Sequence, residues 1–259
     1  MKFTNRPGLV STMPPNSTPH TDARAATCPI KCHRPRAGGR GRQPGGDEAP
    51  MISAREALER LREGNRRFAS DVRSDTLKNQ TRRNELAAAG QKPFAIILGC
   101  SDSRVPAEIV FDQGLGDLFV IRVAGNIVAA SQVGSVEFAA ARFGTRLVVV
   151  LGHTRCGAVL ATLEELQEAT ESQSRNLRSI VDRVRPSVEE LLATELRHDP
   201  DALVQHAVRA NIRVSANHLR HGSDLLEELI QRNGLLVVGA EYSLETGLVD
   251  FFDGIPEAG

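Results

Sequence analysis

The chain has 259 residues, 25% of them charged and 41% hydrophobic, and its formal net charge is zero. That composition is ordinary for a soluble globular protein, and zero net charge gives no general attraction to nucleic acid or an anionic membrane. No apolar run approaches the roughly 20 residues that span a bilayer, and the N-terminus lacks the apolar core of a secretory signal. Four cysteines in two unlike pairs are too sparse for a secreted disulfide framework, so a reducing, cytoplasmic setting is expected.

Residues 1–50 hold eight of the thirteen prolines and eight Lys/Arg against three acidic residues, a net of +5 balanced by −5 in the rest. Such a Pro/Gly/Arg-rich stretch buries too little apolar surface to offset its ordering entropy and is predicted to be a disordered leader. Met51 stands where the folded pattern begins, so translation starting there is one explanation of the leader. Residues 51–259 are read as one domain. Ser53-Ala-Arg-Glu56 is a capping box, followed by Leu58, Leu61, Asn65 and Phe68 at helical spacing. Residues 94–99, 118–123, 147–152 and 235–240 are short apolar runs, suited to strands covered on both faces.

Helical stripes separate these runs. Val133, Val136, Ala140 and Phe143 form one; Leu203, Ala207, Val208, Ile212, Ala216 and Leu219 form another; a third helix from Asp224 to Asn233 stops at Gly234. Tyr242–Phe252 reads as a turn and an added edge strand. Strands alternating with helices predict an α/β fold: a mainly parallel central sheet flanked by helices, with a C-terminal edge strand. The N-terminal helix has no evident place on that sheet, which suggests packing on a second copy.

Two segments share one design: apolar strand, glycine, metal-capable side chain. They are Ile96-Ile-Leu-Gly-Cys100 and Val149-Val-Leu-Gly-His153. Ligands of open parallel sheets bind beyond the carboxyl ends of the strands. Were these strands neighbours, Cys100 and His153 would emerge side by side, and Cys156 could close on the same point. Two thiolates and an imidazole suit zinc, and three protein ligands with an open fourth position are the catalytic arrangement. Asp102 and Arg104 follow Cys100 at alternate positions. Asp102 can either bind the metal itself or be held by Arg104 as a bidentate pair, leaving the fourth position open.

Cys100-Ser-Asp-Ser-Arg104 with His153-Thr-Arg-Cys-Gly157 resembles the paired C-x-D-x-R and H-x-x-C-G signatures of β-carbonic anhydrases. Gly64-Asn-Arg-Arg-Phe68 and the block Gly116–Asn126 extend the likeness, which runs from about residue 53 to 253. The resemblance implies one zinc ion per subunit on Cys100, His153 and Cys156, with Asp102 and Arg104 as an activating dyad. It implies reversible hydration of carbon dioxide to bicarbonate by zinc-bound hydroxide, in a homodimer or homotetramer. Zinc lowers the pKa of bound water, to about 7 in three-histidine carbonic anhydrases. Two thiolates donate more charge than two imidazoles, so a higher value is expected here. The resemblance also gives the Gly157 N–H a part in holding substrate. Gln113 is a further substrate-binding candidate, although Phe111-Asp-Gln-Gly-Leu-Gly116 sets it one place off the plant-type D-F-Q-P-G segment. Some bacterial members hold an inhibitory bicarbonate with Trp, Arg and Tyr; Arg122 and Tyr242 match two of these, and Ile97 takes the Trp place.

Blander readings compete. A lone buried Cys after a strand is usually a small core residue, and Asp102–Arg104 alone is an ordinary ion pair. Their joint register with His153 and Cys156 reverses that balance. Cys28-Pro-Ile-Lys-Cys32-His33 has no second ligand pair and is not read as a metal box. His198, His206, His218 and His221 are expected on solvated helix faces. Two rivals remain: hydrolysis of COS or CS2 on the same scaffold, and a non-catalytic zinc protein whose site Asp102 closes.

Overall fold

A computed structural model of the chain describes residues 52–72, 80–167 and 174–256. The leader expectation, with Cys28 and Cys32, lies outside the described residues. Five strands, β1 (Ala95–Gly99), β2 (Leu118–Arg122), β3 (Leu147–His153), β4 (Leu236–Tyr242) and β5 (Val249–Asp253), form one sheet in the order β2-β1-β3-β4-β5. The first four are parallel and β5 runs antiparallel to β4. The mainly parallel α/β sheet with a C-terminal edge strand is therefore the observed architecture.

Every residue of β1 and β3 is buried, as strands covered on both faces must be. Alternation divides them between two cores. Ile96, Leu98, Val148 and Val150 face α4 (Ala130–Arg142), α5 (Gly157–Gln167), α6 (Arg175–Val188) and α7 (Pro200–His221). Ile97, Leu147, Val149 and Leu151 face α1 (Ala54–Ala69) and α3 (Ala107–Val110). Both β3 and β4 run past the apolar runs seen in the sequence, because the ladder continues through Gly152↔Glu241 and His153↔Tyr242.

The capping box of α1 forms as predicted, with Ser53 Oγ accepting from the Glu56 N–H and the Glu56 carboxylate accepting from the Ser53 N–H. The expectation that α1 has no place on its own sheet is overturned. Ala57, Leu58 and Leu61 are buried in the second core, and Gly64 lies so close to α3 that a Cβ there would stand 1.9 Å from the Phe111 carbonyl oxygen. Two further α-helices lie among the described residues. α2 (Gln80–Ala89) buries none of its residues, and α8 (Asp224–Asn233) ends, as predicted, with Gly234 left-handed.

Candidate active site

The parallel pairing Gly99↔Leu151 puts the carboxyl ends of β1 and β3 side by side. Cys100 leaves β1 there, and His153 is the last residue of β3. The chain then turns through Thr154 and Arg155, the latter at φ +54°, and delivers Cys156 just before α5. Cys100, His153 and Cys156 are all buried, and their ligating atoms lie within 4.8 Å of one another. Both cysteines are free thiols, with sulfurs 3.9 Å apart. That is far beyond a disulfide bond and close to the roughly 3.8 Å that two sulfurs at 2.3 Å span across a tetrahedral zinc.

The histidine supplies a second test of fit. Its Nδ1 lies 2.9 Å from the Thr154 carbonyl oxygen and donates to it, which leaves the lone pair on Nε2. Nε2 is buried without a hydrogen-bond partner. A buried polar atom without a partner costs about 1–3 kcal/mol, and a metal bond removes that cost. The donors are soft sulfur and imidazole, which suit zinc and not magnesium or calcium.

Protons are shared unevenly. The hydrogen bond with Cys156 holds the Cys100 thiol well below the ordinary thiol range against its burial, with help from His153 and the Gly125 N–H. The same bond, with burial, pushes Cys156 up. Burial works against charge on His153, but Cys100, the Thr154 carbonyl and Asp102 together raise the imidazole. Loading a metal therefore requires expelling a proton from Cys156.

Asp102 is held by Arg104. The Arg104 Nε donates to Oδ1 at 2.9 Å, Nη2 to Oδ2 at 2.7 Å, and the Arg104 backbone N–H to Oδ1 at 3.0 Å. This pair keeps the Asp102 carboxyl well below the usual carboxylate range. Asp102 Oδ2 remains 3.7 Å from His153 Nε2, close enough to face a group bound beside it. Gly157 opens α5, so its N–H is among those with no acceptor inside the helix. Gln113 is placed elsewhere in its bonding: Nε2 donates to the Phe111 carbonyl at 2.7 Å and Oε1 accepts from Arg60 Nε at 3.1 Å, tying it to α1. Arg122 is spent on the Cys100 and Asp102 carbonyls, Ile97 is wholly buried in β1, and Tyr242 is buried at the end of β4. The four histidines expected on solvated faces are exposed.

Three supports escape a sequence reading. Gly125, at φ +70°, directs its N–H to Cys100 Sγ at 3.4 Å, while its carbonyl accepts from Asn211 Nδ2 at 2.8 Å. A Cβ at Gly125 would stand 3.0 Å from that of Ala158. Thr154 donates to Glu245 Oε2 at 2.9 Å, and Arg155 Nε meets Glu245 Oε1 at 3.2 Å, so a residue beyond β4 holds the turn between two candidate metal ligands. The positive φ of Gly125 was signalled only by its glycine inside the Gly116–Asn126 block.

The family model described as carbonic anhydrase matches residues 95–249, more than half of the chain and all five of the site residues just described. The chain belongs to the β-carbonic anhydrase family. It is similar to carbonic anhydrase 2 of Mycobacterium tuberculosis, with 39% identity over 203 residues, covering 78% of this chain and 95% of that one. It is 36% identical to the carbonic anhydrase of Mycolicibacterium smegmatis, with the same coverage. Among solved structures, the β-carbonic anhydrase CafA of Aspergillus fumigatus superposes with a TM-score of 0.60 at 27% identity, covering 78% of this chain and 91% of that one. A Coccomyxa β-carbonic anhydrase in complex with acetazolamide gives 0.59 at 25% identity, covering 75% and 86%. Carbonic anhydrases are lyases whose general reaction is the hydration of carbon dioxide, and the Cys100–His153–Cys156 group is a possible metal site for it.

Proposed function

We propose that this chain hydrates carbon dioxide reversibly to bicarbonate and a proton, with one zinc ion per subunit on Cys100, His153 and Cys156. The observation that carries the reading is the Asp102–Arg104 pair: both carboxylate oxygens are engaged by the guanidinium, 3.7 Å from the histidine nitrogen that faces the sulfurs. A carboxylate used as a fourth ligand would have no need of that clamp. When bound, zinc supplies a Lewis acid that makes a coordinated water acidic enough to act near neutral pH.

The remaining work falls to the chain. Thr154 fixes the imidazole tautomer through its carbonyl. Arg104 keeps Asp102 ionised and aimed, so that its oxygen accepts a hydrogen bond from the attacking water and orients the water's lone pair toward the carbon of CO2. The N–H of Gly157 donates to a substrate oxygen where negative charge gathers. Gln113, fixed to α1 by Arg60, keeps a substrate-side role in this reading only through a movement of its amide. Residues 51–259 are proposed as the catalytic domain, located in the cytoplasm. Among the described residues no helix is long and apolar enough to cross a membrane. Assembly as a homodimer or homotetramer belongs to the same proposal and is supported by exposed large apolar side chains, Phe138 at 54% and Leu248 at 51%.

The test is stopped-flow CO2 hydration on the full chain and on residues 51–259, at about pH 7 and about pH 8.5, with zinc assayed on each sample. Turnover that rises with pH in both, and is lost with the zinc in Cys156→Ser, is expected. Full zinc occupancy without turnover at either pH overturns the reading. COS and CS2 would then be assayed as substrates, and failure there would leave a closed, non-catalytic site. Gel filtration of an active monomer would contradict the oligomer.

A further inference from the structure

The buried face of α7 is apolar except at Asn211 and Ser215. Asn211 is 1% exposed, and it interrupts the stripe that runs from Leu203 through Ala207, Val208, Ile212 and Ala216 to Leu219. Burial takes a carboxamide from water, so its polar groups must be met inside the protein. Its Nδ2 donates to the Gly125 carbonyl at 2.8 Å, and its Oδ1 lies 3.5 Å from Ser187 Oγ. A carbonyl calls for a donor, which fixes the amide with its nitrogen toward Gly125.

What Asn211 holds is the residue behind the Cys100 sulfur. Gly125 is the middle of a single turn of 3-10 helix, Ala124–Asn126, and its φ of +70° is followed by +44° at Asn126. Outside glycine, left-handed backbone is disfavoured, so two such residues in a row need holding from outside. A Cβ on Gly125 would stand 3.0 Å from Ala158 Cβ and 3.5 Å from Val184 Cγ2, which wedges the turn between α5 and α6. The Gly125 N–H reaches Cys100 Sγ at 3.4 Å, and its carbonyl is the group that Asn211 grips. Only φ and ψ of one residue separate that carbonyl from that N–H. A carbonyl set free would therefore loosen the donor that serves the sulfur.

We infer that Asn211 is a positioning residue for the metal ligand Cys100: by gripping the Gly125 carbonyl it keeps the Gly125 N–H on the sulfur. The inference rests on the proposal that Cys100 binds the metal. A thiolate that accepts a hydrogen bond gives less charge to its ion, which stays the stronger Lewis acid. Asn211 thus acts on the metal site through backbone, from a helix that supplies none of the three candidate ligands.

The experiment is the absorption spectrum of the full chain loaded with cobalt(II) in place of zinc, whose sulfur-to-metal charge-transfer band reports charge on the thiolates. Asn211→Leu should move that band to longer wavelength, because a sulfur without its hydrogen bond gives up an electron more readily. It should also weaken zinc about tenfold in competition with a chelator. Asn211→Ala is run beside it, since alanine suits a helix interior and asks for no new space. Ser187→Ala alters the same buried cluster but leaves the amide on Gly125, and should keep the wild-type band. A wild-type band in a folded, cobalt-loaded sample of either Asn211 variant overturns the inference, as does an equal shift in Ser187→Ala. Absence of any thiolate band from the wild-type chain would overturn the metal site itself, and the inference with it. A wild-type band that the Asn211 variants leave unmoved would remove only the role of Asn211.

Discussion

His153 has no solvent-exposed side-chain surface, and one of its nitrogens is engaged while the other is left bare. That asymmetry marks a ligand better than burial does, since a structural histidine in a core would have both nitrogens satisfied. Asp102 and Arg104 show the same economy: the chain turns after Asp102, whose carbonyl accepts from the Val105 N–H, and the turn lets the fork of Arg104 close on the Asp102 carboxylate. Removing the fork leaves Asp102 in place but unaimed. Arg104→Ala is expected to retain zinc, measured by atomic absorption, while kcat/KM for CO2 falls by about 100-fold. Unchanged activity in that variant would remove the dyad from the mechanism. The five site residues were legible because two short motifs carry them. Glu245 was not, because it lies 91 residues from the Thr154 hydroxyl that it binds. Glu245→Ala is expected to weaken zinc affinity by about 10- to 100-fold in a competition assay with a chelator, since it releases the turn bearing two ligands.

Elements were legible where one physical signal dominated. The capping box placed the start of α1 at its true residue, and Gly234 placed the end of α8. The strand ends were less clear, because hydrophobicity stops at Gly152 and Ala240 while hydrogen bonding continues to His153 and Tyr242. α2 went unread because it has no buried stripe, and Pro186 in the last turn of α6 breaks the pattern made by Val181, Val184 and Val188. The place of α1 was misjudged because the sequence shows an apolar stripe but not its partner. Gly64 shows what that partner demands: contact so close that only a missing Cβ allows it. Gly64→Ala should therefore destabilise the protein by about 3 kcal/mol in chemical denaturation, through separation of α1 from α3. Ser53→Ala should lower stability by only about 1 kcal/mol, the loss of one cap. Equal effects from the two changes would refute close packing as the reason for the glycine.

For the molecule as a whole, Glu241 ties β4 to α7 and β5: Arg209 donates to Glu241 and to Asp250 at 3.0 and 2.9 Å. Burial outweighs Arg209 and raises the Glu241 carboxyl above its ordinary 4.5. A group whose pKa is raised by folding favours the folded state below the unfolded value and loses that contribution as pH rises through the folded one. Wild type should therefore lose stability relative to Glu241→Gln as pH climbs from about 4.5 toward neutrality, read from denaturant midpoints across the range. A difference that is flat with pH would contradict the raised carboxyl.

The register Gly99↔Leu151 has a consequence for which ions the protein will accept. Cys100 directly follows β1 and His153 ends β3, so both hang from neighbouring strands, about 4.8 Å apart, of a sheet buried on both faces. Cys156, on the turn, is the adjustable jaw. In the proposed metal site, an ion with longer bonds to sulfur than zinc would be met first by the turn that carries Cys156, which Glu245 ties down through Thr154 and Arg155.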